Sequence, residues 1–504
     1  MITVTIHQKD QISKVQAAQG ELMLDILQRE QIPVRTPCGG RGTCRKCRIT
    51  MTQTNQVTGQ METVQHRACT TQVMEDCDVW VPDYSSGYKF RYEETARSAK
   101  EEVYQAAVDL GTTTIAVQVI DQEGIVALSG TKLNEQEICG ADVISRIKAS
   151  GEGKRELLTD LVRKEVAGML KDYHCEKVAV CGNTTMLHLF LGVDPSPIGV
   201  YPFTPVFTET KVVAGSEVGL DADTVIVLPS ASGYIGADTV CGALAQDLSK
   251  ESGTLLIDLG TNGEMVLSFR GQMFAASTAA GPCLEGAEIE CGMGGTPGAI
   301  AHVRLAPPMT GYLRPLMDDS PFQMKIIDAE LAEGICGSGL IDIVALLLEL
   351  GVMTKDGQFV KDQPPGPART VAQRIRDGKL YLTDSVYLSE QDIRKFQLAK
   401  AAIRAGIETL LEAAGAKTDD VDEVLIAGGL GYFLRTESAV RAGLIPEEIS
   451  EEMEAVGNAA LEGALKCLDP EVLKEAEKIA KAIQVIDLSA FKGFEKRWIA
   501  SMNF

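Results

Sequence analysis

The chain has 504 residues, 45% of them hydrophobic, with 48 glycines and a formal net charge of −22. Single cores stop growing near ~250–300 residues, so more than one domain is expected, and the composition is that of a globular α/β protein, neither disordered nor collagenous. The negative charge argues against a nucleic-acid or anionic-membrane partner, because either would repel it.

The acidity is uneven. Residues 1–95 are about neutral, and Arg35, Arg41, Arg45, Lys46 and Arg48 crowd one loop, as a solvated rim or as a dock for an acidic donor. The start, Met1-Ile-Thr-Val-Thr-Ile-His, reads as a strand and not as a secretory signal, so a cytoplasmic address with reduced thiols is expected. Two strands, 2–6 and 12–17, precede a helix over 21–31 whose Met23, Ile26 and Leu27 fall at i, i+3 and i+4. Then comes Cys38-Gly-Gly-Arg-Gly-Thr-Cys44-Arg-Lys-Cys47, with Cys69 further on in Arg-Ala-Cys-Thr. Three thiols within ten residues, among glycines that let backbone N–H groups turn toward sulfur, suit an inorganic cluster better than a core. Strands at 48–52 and ending at Val79-Trp80-Val81-Pro82 close the segment.

Plant-type [2Fe–2S] ferredoxins space their ligands C-x4-C-x2-C…C. The first gap here is five, and the stretch resembles adrenodoxin-like and bacterial ferredoxin domains of β-grasp fold. Cys77 competes with Cys69 for the fourth ligand. It sits in Asp-Cys-Asp, where carboxylates would add charge to an anionic cluster, whereas Cys69 follows Arg67-Ala68. The expected ligand set is Cys38, Cys44, Cys47 and Cys69. The later cysteines (139, 175, 181, 241, 283, 291, 336 and 467) form no C-x2-C pair and read as small buried residues.

Residues 1–85 are therefore expected to be the ferredoxin-like domain and 86–103 a linker, in a polar stretch that begins near residue 83. Roughly twenty residues span at most ~65 Å, enough for the first domain to move between a donor and an acceptor. From Val103 strands alternate with helices, and the chain repeats itself. Ala106-Ala-Val-Asp109-Leu-Gly-Thr-Thr-Thr returns as Leu255-Leu-Ile-Asp258-Leu-Gly-Thr-Asn-Gly, each an apolar strand ending in Asp and a tight Gly-Thr turn. Two such hairpins imply two related subdomains facing each other, 104–250 and 251–504. A third apolar strand, Glu423-Val-Leu-Ile-Ala427, runs into Gly428-Gly-Leu-Gly431. Helices are expected at 236–245, 340–350, 390–414 and 457–464.

A phosphate chain needs close backbone N–H groups, donor hydroxyls, and a carboxylate that holds Mg²⁺, usually through its waters. The twin turns supply all three. No G-x-x-x-x-G-K-[ST] loop and no G-x-G-x-x-G opening a helix is present. The order of motifs resembles the acetate/sugar kinase–heat-shock-protein-70–actin (ASKHA) ATPase fold. That resemblance implies phosphate-1 at Asp109, phosphate-2 at Asp258, connecting helices at 236–245 and 457–464, and an adenosine motif at Ala427-Gly-Gly. Asp109 and Asp258 would hold the metal's water shell. Gly111, Thr112, Thr113, Gly260, Thr261 and Asn262 would cradle the phosphates of ATP. Gly428, Gly429 and Gly431 would let the nucleoside approach. Asp142, Asp238, Glu264 and Glu285 are candidates for orienting water or supporting loops, and His188 in Leu187-His-Leu-Phe reads as a packing histidine.

A [2Fe–2S] domain followed by this ATPase resembles the reductive activators of corrinoid-dependent methyltransferases. Gly140-Ala-Asp-Val-Ile-Ser-Arg146, Gly182-Asn-Thr-Thr-Met-Leu-His188, Gly281-Pro-Cys-Leu-Glu-Gly286, Cys336-Gly-Ser-Gly339 and Gln391-Asp-Ile-Arg-Lys-Phe have that family's look. Larger members insert a small domain between cluster and ATPase, and others carry C-terminal [4Fe–4S] motifs; neither is present here, which leaves a homodimer open. The resemblance implies ATP-dependent return of Co(II) corrinoid to Co(I), with a corrinoid protein as acceptor and a separate protein as electron donor. The competing readings are an activator of another low-potential or radical enzyme, and a redox-sensing ATP-binding regulatory protein.

Overall fold

The computed structural model describes residues 1–8, 11–30, 32, 34, 47–54, 61–82, 103–250, 252–306, 320–360 and 365–504, and every count below refers to these. The expected linker, apart from Val103, and the ligands Cys38 and Cys44 lie outside them.

The N-terminal part is a five-stranded sheet with one helix. Its strands are β1 (Ile2–Gln8), β2 (Gln11–Ala17), β3 (Arg48–Thr54), β4 (Met61–Arg67) and β5 (Cys77–Trp80), in the order β2-β1-β5-β3-β4. Strand β1 alternates by the period-2 rule: Ile2, Val4 and Ile6 are buried and Thr3 and Thr5 partly exposed. Helix α1 (Met23–Arg29) packs Met23, Ile26 and Leu27 into the same core. Strand β4 is an addition to the sequence reading. It is an edge strand with no buried residue, so its pattern carries no apolar face.

The rest is built twice. The first lobe has β6 (Tyr104–Leu110), β7 (Thr114–Ile120), β8 (Val126–Leu133), β9 (Cys175–Gly182), β10 (Lys211–Ala214) and β11 (Ala222–Val227), ordered β10-β11-β9-β6-β7-β8. Its helices are α2 (Val143–Ala149), α3 (Arg155–Leu170), α4 (Thr184–Leu191) and α5 (Ala237–Ala245). The second lobe begins with β12 (Thr254–Leu259), β13 (Gly263–Phe269) and β14 (Gln272–Thr278). Two three-stranded sheets follow: β15 (Ala299–Leu305), β16 (Phe322–Ile326) and β17 (Gly334–Ile335), then β18 (Ile375–Arg376), β19 (Lys379–Tyr381) and β20 (Tyr387–Ser389). With β21 (Glu423–Ala427), β22 (Met453–Gly457) and β23 (Ile483–Val485) the main sheet reads β22-β21-β12-β13-β14-β23. Helices α6 (Gly337–Glu349), α7 (Pro367–Ala372), α8 (Glu390–Ala414), α9 (Thr436–Arg441), α10 (Ala459–Lys466), α11 (Pro470–Ala482) and α12 (Phe494–Ala500) complete the chain.

Five strands of each main sheet correspond, while β10 and β23 are added on opposite edges. In each, an antiparallel meander (β6-β7-β8, β12-β13-β14) is joined by parallel pairing to two later strands (β9 and β11, β21 and β22). Both central strands, buried on both faces, are apolar runs that end in the repeated Asp. Helices α5 and α10 lie between the lobes and touch at the backbone. A Cβ on Gly463 would stand 2.0 Å from the Cys241 carbonyl oxygen, so only glycine fits that crossing. No helix among the described residues is long and apolar enough to cross a membrane.

Candidate functional site

Two thiols meet in the N-terminal sheet. Cys47 stands just before β3 and Cys69 in the 3₁₀ turn Ala68–Thr70; both are buried, and their Sγ atoms lie 3.2 Å apart without a disulfide between them. The Ala68 N–H donates to the Cys47 carbonyl at 2.8 Å, which pins the two segments together. Cys77 is held differently, in β5 opposite Val4. Burial, then Asp78, Asp76 and Glu75, push its thiol up to about 11, against the thiolate a metal requires. A juxtaposed pair of buried thiols is a donor set of the chemistry an iron–sulfur cluster uses.

The second constellation lies where the repeated hairpins meet. Asp109 and Asp258 occupy matching places near the ends of β6 and β12, and the turns that follow, with Gly111, Thr112 and Thr113 in one and Gly260, Thr261 and Asn262 in the other, come into contact. The Thr113 and Thr261 hydroxyls are 3.1 Å apart and both donate to Glu285 Oε2, at 2.8 and 2.5 Å. Asp238, in the first turn of α5, and Glu264, directly opposite Asp258 on β13, complete a group of five half-buried carboxyls. Burial raises Asp109 to about 7, Asn458 opposing and Asp238 adding to the rise. Burial, then Asp238, Asp109 and Glu285, raises Asp258 to about 7. Asp238 is raised by burial to about 6. Glu264 is pushed well up by burial and by Asp238 and Asp258, and Glu285 upward by burial against its two hydroxyl donors.

Such mutual repulsion, with no Lys or Arg in direct ion-pair contact with the group among the described residues and only Arg146 acting on Glu285 from further off, fits a divalent metal. The described residues form no direct three-ligand cage.

Support comes from residues remote in sequence. Asn458 caps α10 through Leu461 N (2.8 Å) and donates its Nδ2 to Asp109 Oδ2 (2.9 Å). Behind the first turn, all three carbonyls are taken by one segment: Asn134 Nδ2 donates to Gly111 O (2.9 Å), Arg146 Nη2 to Thr112 O (2.5 Å) and Asn134 N to Thr113 O (2.9 Å). Arg146 is fully buried, which lowers its guanidinium to about 10, and it also donates to Gly140 O and Gln136 Oε1. Sequence reading assigned roles to neither Asn458 nor Arg146. An asparagine placed as helix N-cap after Gly457 was the available signal for Asn458.

The glycine turn after β21 also reaches the site. Gly428 has φ +88°, and a Cβ there would lie 2.7 Å from Asp258 Oδ1; one on Gly431 would lie 2.7 Å from Ile426 O, and Gly429 faces open space. Of the other candidates, Asp142 is the N-cap of α2 in a capping box with Ser145. His188 is a packing residue: it lies buried, stacks on Phe207, and both ring nitrogens are engaged, with Thr184 O and Val206 N.

Two lobes related by duplication, with a packed helix pair between them and paired aspartates where their hairpins meet, define an actin-like ATPase. Residues 252–504 match the family described as the C-terminal domain of RACo, the ASKHA domain, and residues 104–251 match the RACo middle region. The chain belongs to the RACo family. It is 31% identical over 431 residues to "Corrinoid activation enzyme RamQ" of Eubacterium limosum, covering 80% of this chain and 70% of that one. It is 27% identical over 421 residues to "[Co(II) methylated amine-specific corrinoid protein] reductase" of Methanosarcina barkeri, covering 76% and 73%. The solved structure of "Reductive activator for corrinoid,iron-sulfur protein" superposes with a TM-score of 0.72 at 25% identity, over 100% of this chain and 98% of that one.

Proposed function

We propose that this protein is an ATP-dependent reductive activator that passes one low-potential electron to the Co(II) corrinoid of a methyltransferase system and restores Co(I). The observation that carries the reading is the Cys47–Cys69 thiol pair in a chain that also brings two aspartate hairpins together, within a family whose relatives are named for corrinoid reduction. Cys38, Cys44, Cys47 and Cys69 hold a [2Fe–2S] cluster in a β-grasp domain spanning residues 1–85, joined through 86–103 to lobes 104–250 and 251–504. When bound, that cluster supplies one-electron chemistry near ~−400 mV.

Asp109 and Asp258 orient the water shell of Mg²⁺, while the turns at 111–113 and 260–262 offer hydroxyls and N–H groups to the phosphates. To reach Thr113 and Thr261, phosphate oxygens compete with Glu285, which frees that carboxylate to face the cleft. Each ~100 mV by which the donor falls short of cobalt costs ~2.3 kcal/mol per electron. ATP meets that cost by favouring one arrangement of the lobes over another. The electron reaches the protein from a separate donor protein, and the site of action is cytoplasmic.

The test mixes the purified protein, a reductant, MgATP and a Co(II) corrinoid protein, and follows the Co(I) spectrum. Cys44→Ser is expected to abolish reduction while sparing nucleotide binding, and Asp258→Ala to abolish ATP hydrolysis, and with it reduction, while leaving the cluster's visible spectrum unchanged. Cobalt that stays Co(II) with a cognate partner present would refute the activity; normal ATP hydrolysis by Asp258→Ala would refute the nucleotide assignment.

A further inference from the structure

The segment that grips the first hairpin turn from behind has a second contact, with the N-terminal sheet domain. Asn134, Gln136 and Ile138 lie in and beside the 3₁₀ turn Glu135–Ile138, whose N-cap is Asn134. Asn134 holds the carbonyls of Gly111 and Thr113; Gln136 is tied to Arg146, which holds that of Thr112. At the end of the same turn the Ile138 carbonyl accepts a hydrogen bond from Gln28 Nε2, on the last turn of α1. Gln28 Oε1 accepts from Lys154 Nζ at 2.8 Å, in the segment between α2 and α3. Gln28 is 9% exposed. A side chain that can make bonds through both ends of its amide, both to the other domain, loses both when the domains part.

The contact borders a cavity of about 1160 Å³. One wall carries Leu22, Leu24 and Cys69 from the N-terminal domain, and the other Val143, Tyr234 and Asn262 from the lobes. In this docked arrangement the Cys69 side of the thiol site faces the ATPase.

We propose that Gln28 and Lys154 form a latch that docks the N-terminal domain on the first lobe, and that nucleotide entering the Gly111–Thr113 turn releases it. The inference rests on the nucleotide reading above. Direction follows from the bonds. The docked state is the one in which Thr113 is held on Glu285 and its backbone on Asn134. Phosphate must take that hydroxyl, so it shifts the turn and, through Asn134 and Gln136, the Ile138 carbonyl. Release then turns the Cys69 side outward toward a protein partner. By linkage, weakening the latch must tighten nucleotide binding by the factor with which nucleotide weakens docking, about 5-fold at the low end of ordinary coupling.

The experiment uses the full-length holoprotein as wild type, Gln28→Ala, Lys154→Ala and the double variant. Visible circular dichroism checks that the thiol-bound centre is intact, and Lys154→Ala changes only the lobe side. Calorimetry with Mg²⁺ and a non-hydrolysable ATP analogue is expected to give about 5-fold tighter binding for Gln28→Ala, which loses both bonds, a smaller gain for Lys154→Ala, which keeps the bond to Ile138, and no gain in the double beyond Gln28→Ala. Small-angle scattering is expected to show a larger radius of gyration for the nucleotide-free variants, and for the wild type once the analogue is added. A Gln28→Ala affinity within twofold of wild type or weaker, or an unchanged radius in all four proteins, would overturn the latch. A wild type that binds no analogue refutes the nucleotide reading instead, and the scattering of the nucleotide-free variants then still decides whether Gln28 and Lys154 hold the domains together.

Discussion

The glycine turn after β21 allows the role of Asp258 to be tested without touching the aspartate. Gly428 has φ +88°, and an added Cβ would sit 2.7 Å from Asp258 Oδ1 and 3.3 Å from Leu259 O. The left-handed backbone alone costs an alanine ~1–2 kcal/mol. The carboxylate must also swing aside, and an off-rotamer side chain costs ~0.5–1.5 kcal/mol. Gly428→Ala is therefore expected to destabilise the second lobe by about 2–3 kcal/mol. Displacement of a reacting group by about 1 Å can lower a rate ~100-fold, so ATP hydrolysis should fall by ten- to a hundredfold.

The neighbours serve as controls. Gly429 has no atom within 4 Å of its would-be Cβ, so Gly429→Ala should change stability by no more than ~0.5 kcal/mol. At Gly431 the clash is with Ile426 O (2.7 Å) and Ile426 Cγ2 (3.0 Å), away from Asp258. Gly431→Ala should lose stability comparably and keep more of its hydrolysis. Urea unfolding and steady-state ATP hydrolysis on the three variants separate these effects. If Gly428→Ala hydrolyses ATP at the wild-type rate while showing the stability loss, the Asp258 carboxylate is not where the reaction needs it.

Three further outcomes follow from the contacts. Cys47→Ser should reduce bound iron sharply and Cys77→Ser leave it near wild type, measured by iron analysis and visible absorption; equal losses would put Cys77 in the ligand set. Asn458→Asp keeps the helix cap but replaces the donor to Asp109 with a like charge, so nucleotide affinity should fall without the ~1 kcal/mol stability loss expected of Asn458→Ala. Glu165, buried beside Lys132 and bonded to the Glu135 N–H, is raised from 4.5 to about 7, by burial first and then by Glu135. Its folded form binds the proton more tightly than the unfolded one, so stability present below pH 4.5 is lost as pH rises through 7, with a ceiling of about 3 kcal/mol. Lys132, itself raised because Glu165 and Glu135 outweigh its burial, stays protonated through this range, and its pull on Glu165 is already contained in that value. Urea unfolding at pH 5 and pH 8 should show wild type losing ~1–3 kcal/mol more than Glu165→Gln; equal slopes would refute the assignment.

What could be read from the sequence was local. Asp-Leu-Gly-Thr is contiguous, so strand, turn and carboxylate announce themselves together, and the long helix at 390–414 shows its period over seven turns. Strand β4 was missed because none of its side chains is buried, leaving no alternation to detect. Asn458 reaches Asp109 from 349 residues away, and Gln28 reaches Ile138 from 110. Pairings of that kind are set by how the lobes close and not by any spacing along the chain. Arg146 lay inside a quoted motif, yet nothing in Gly-Ala-Asp-Val-Ile-Ser-Arg indicates that its guanidinium turns inward to hold the Thr112 carbonyl.

The duplication also explains how one cleft can couple two tasks, because its halves have diverged. Across the hairpin from Asp109 stands Ala116, whereas across from Asp258 stands Glu264. Four residues, 111–114, separate the last paired positions of the first hairpin, but only three, 260–262, those of the second. Of the five clustered carboxyls, Asp258, Glu264 and Glu285 belong to the second lobe and Asp109 and Asp238 to the first. The first turn has instead acquired backing: Asn134 and Arg146 hold its carbonyls, and the same segment extends to Gln28. A turn whose backbone is fixed to a second structure cannot accept a phosphate without disturbing that structure. In the proposed reading the second copy acts on the nucleotide, and the first reports its presence to the thiol-bearing domain.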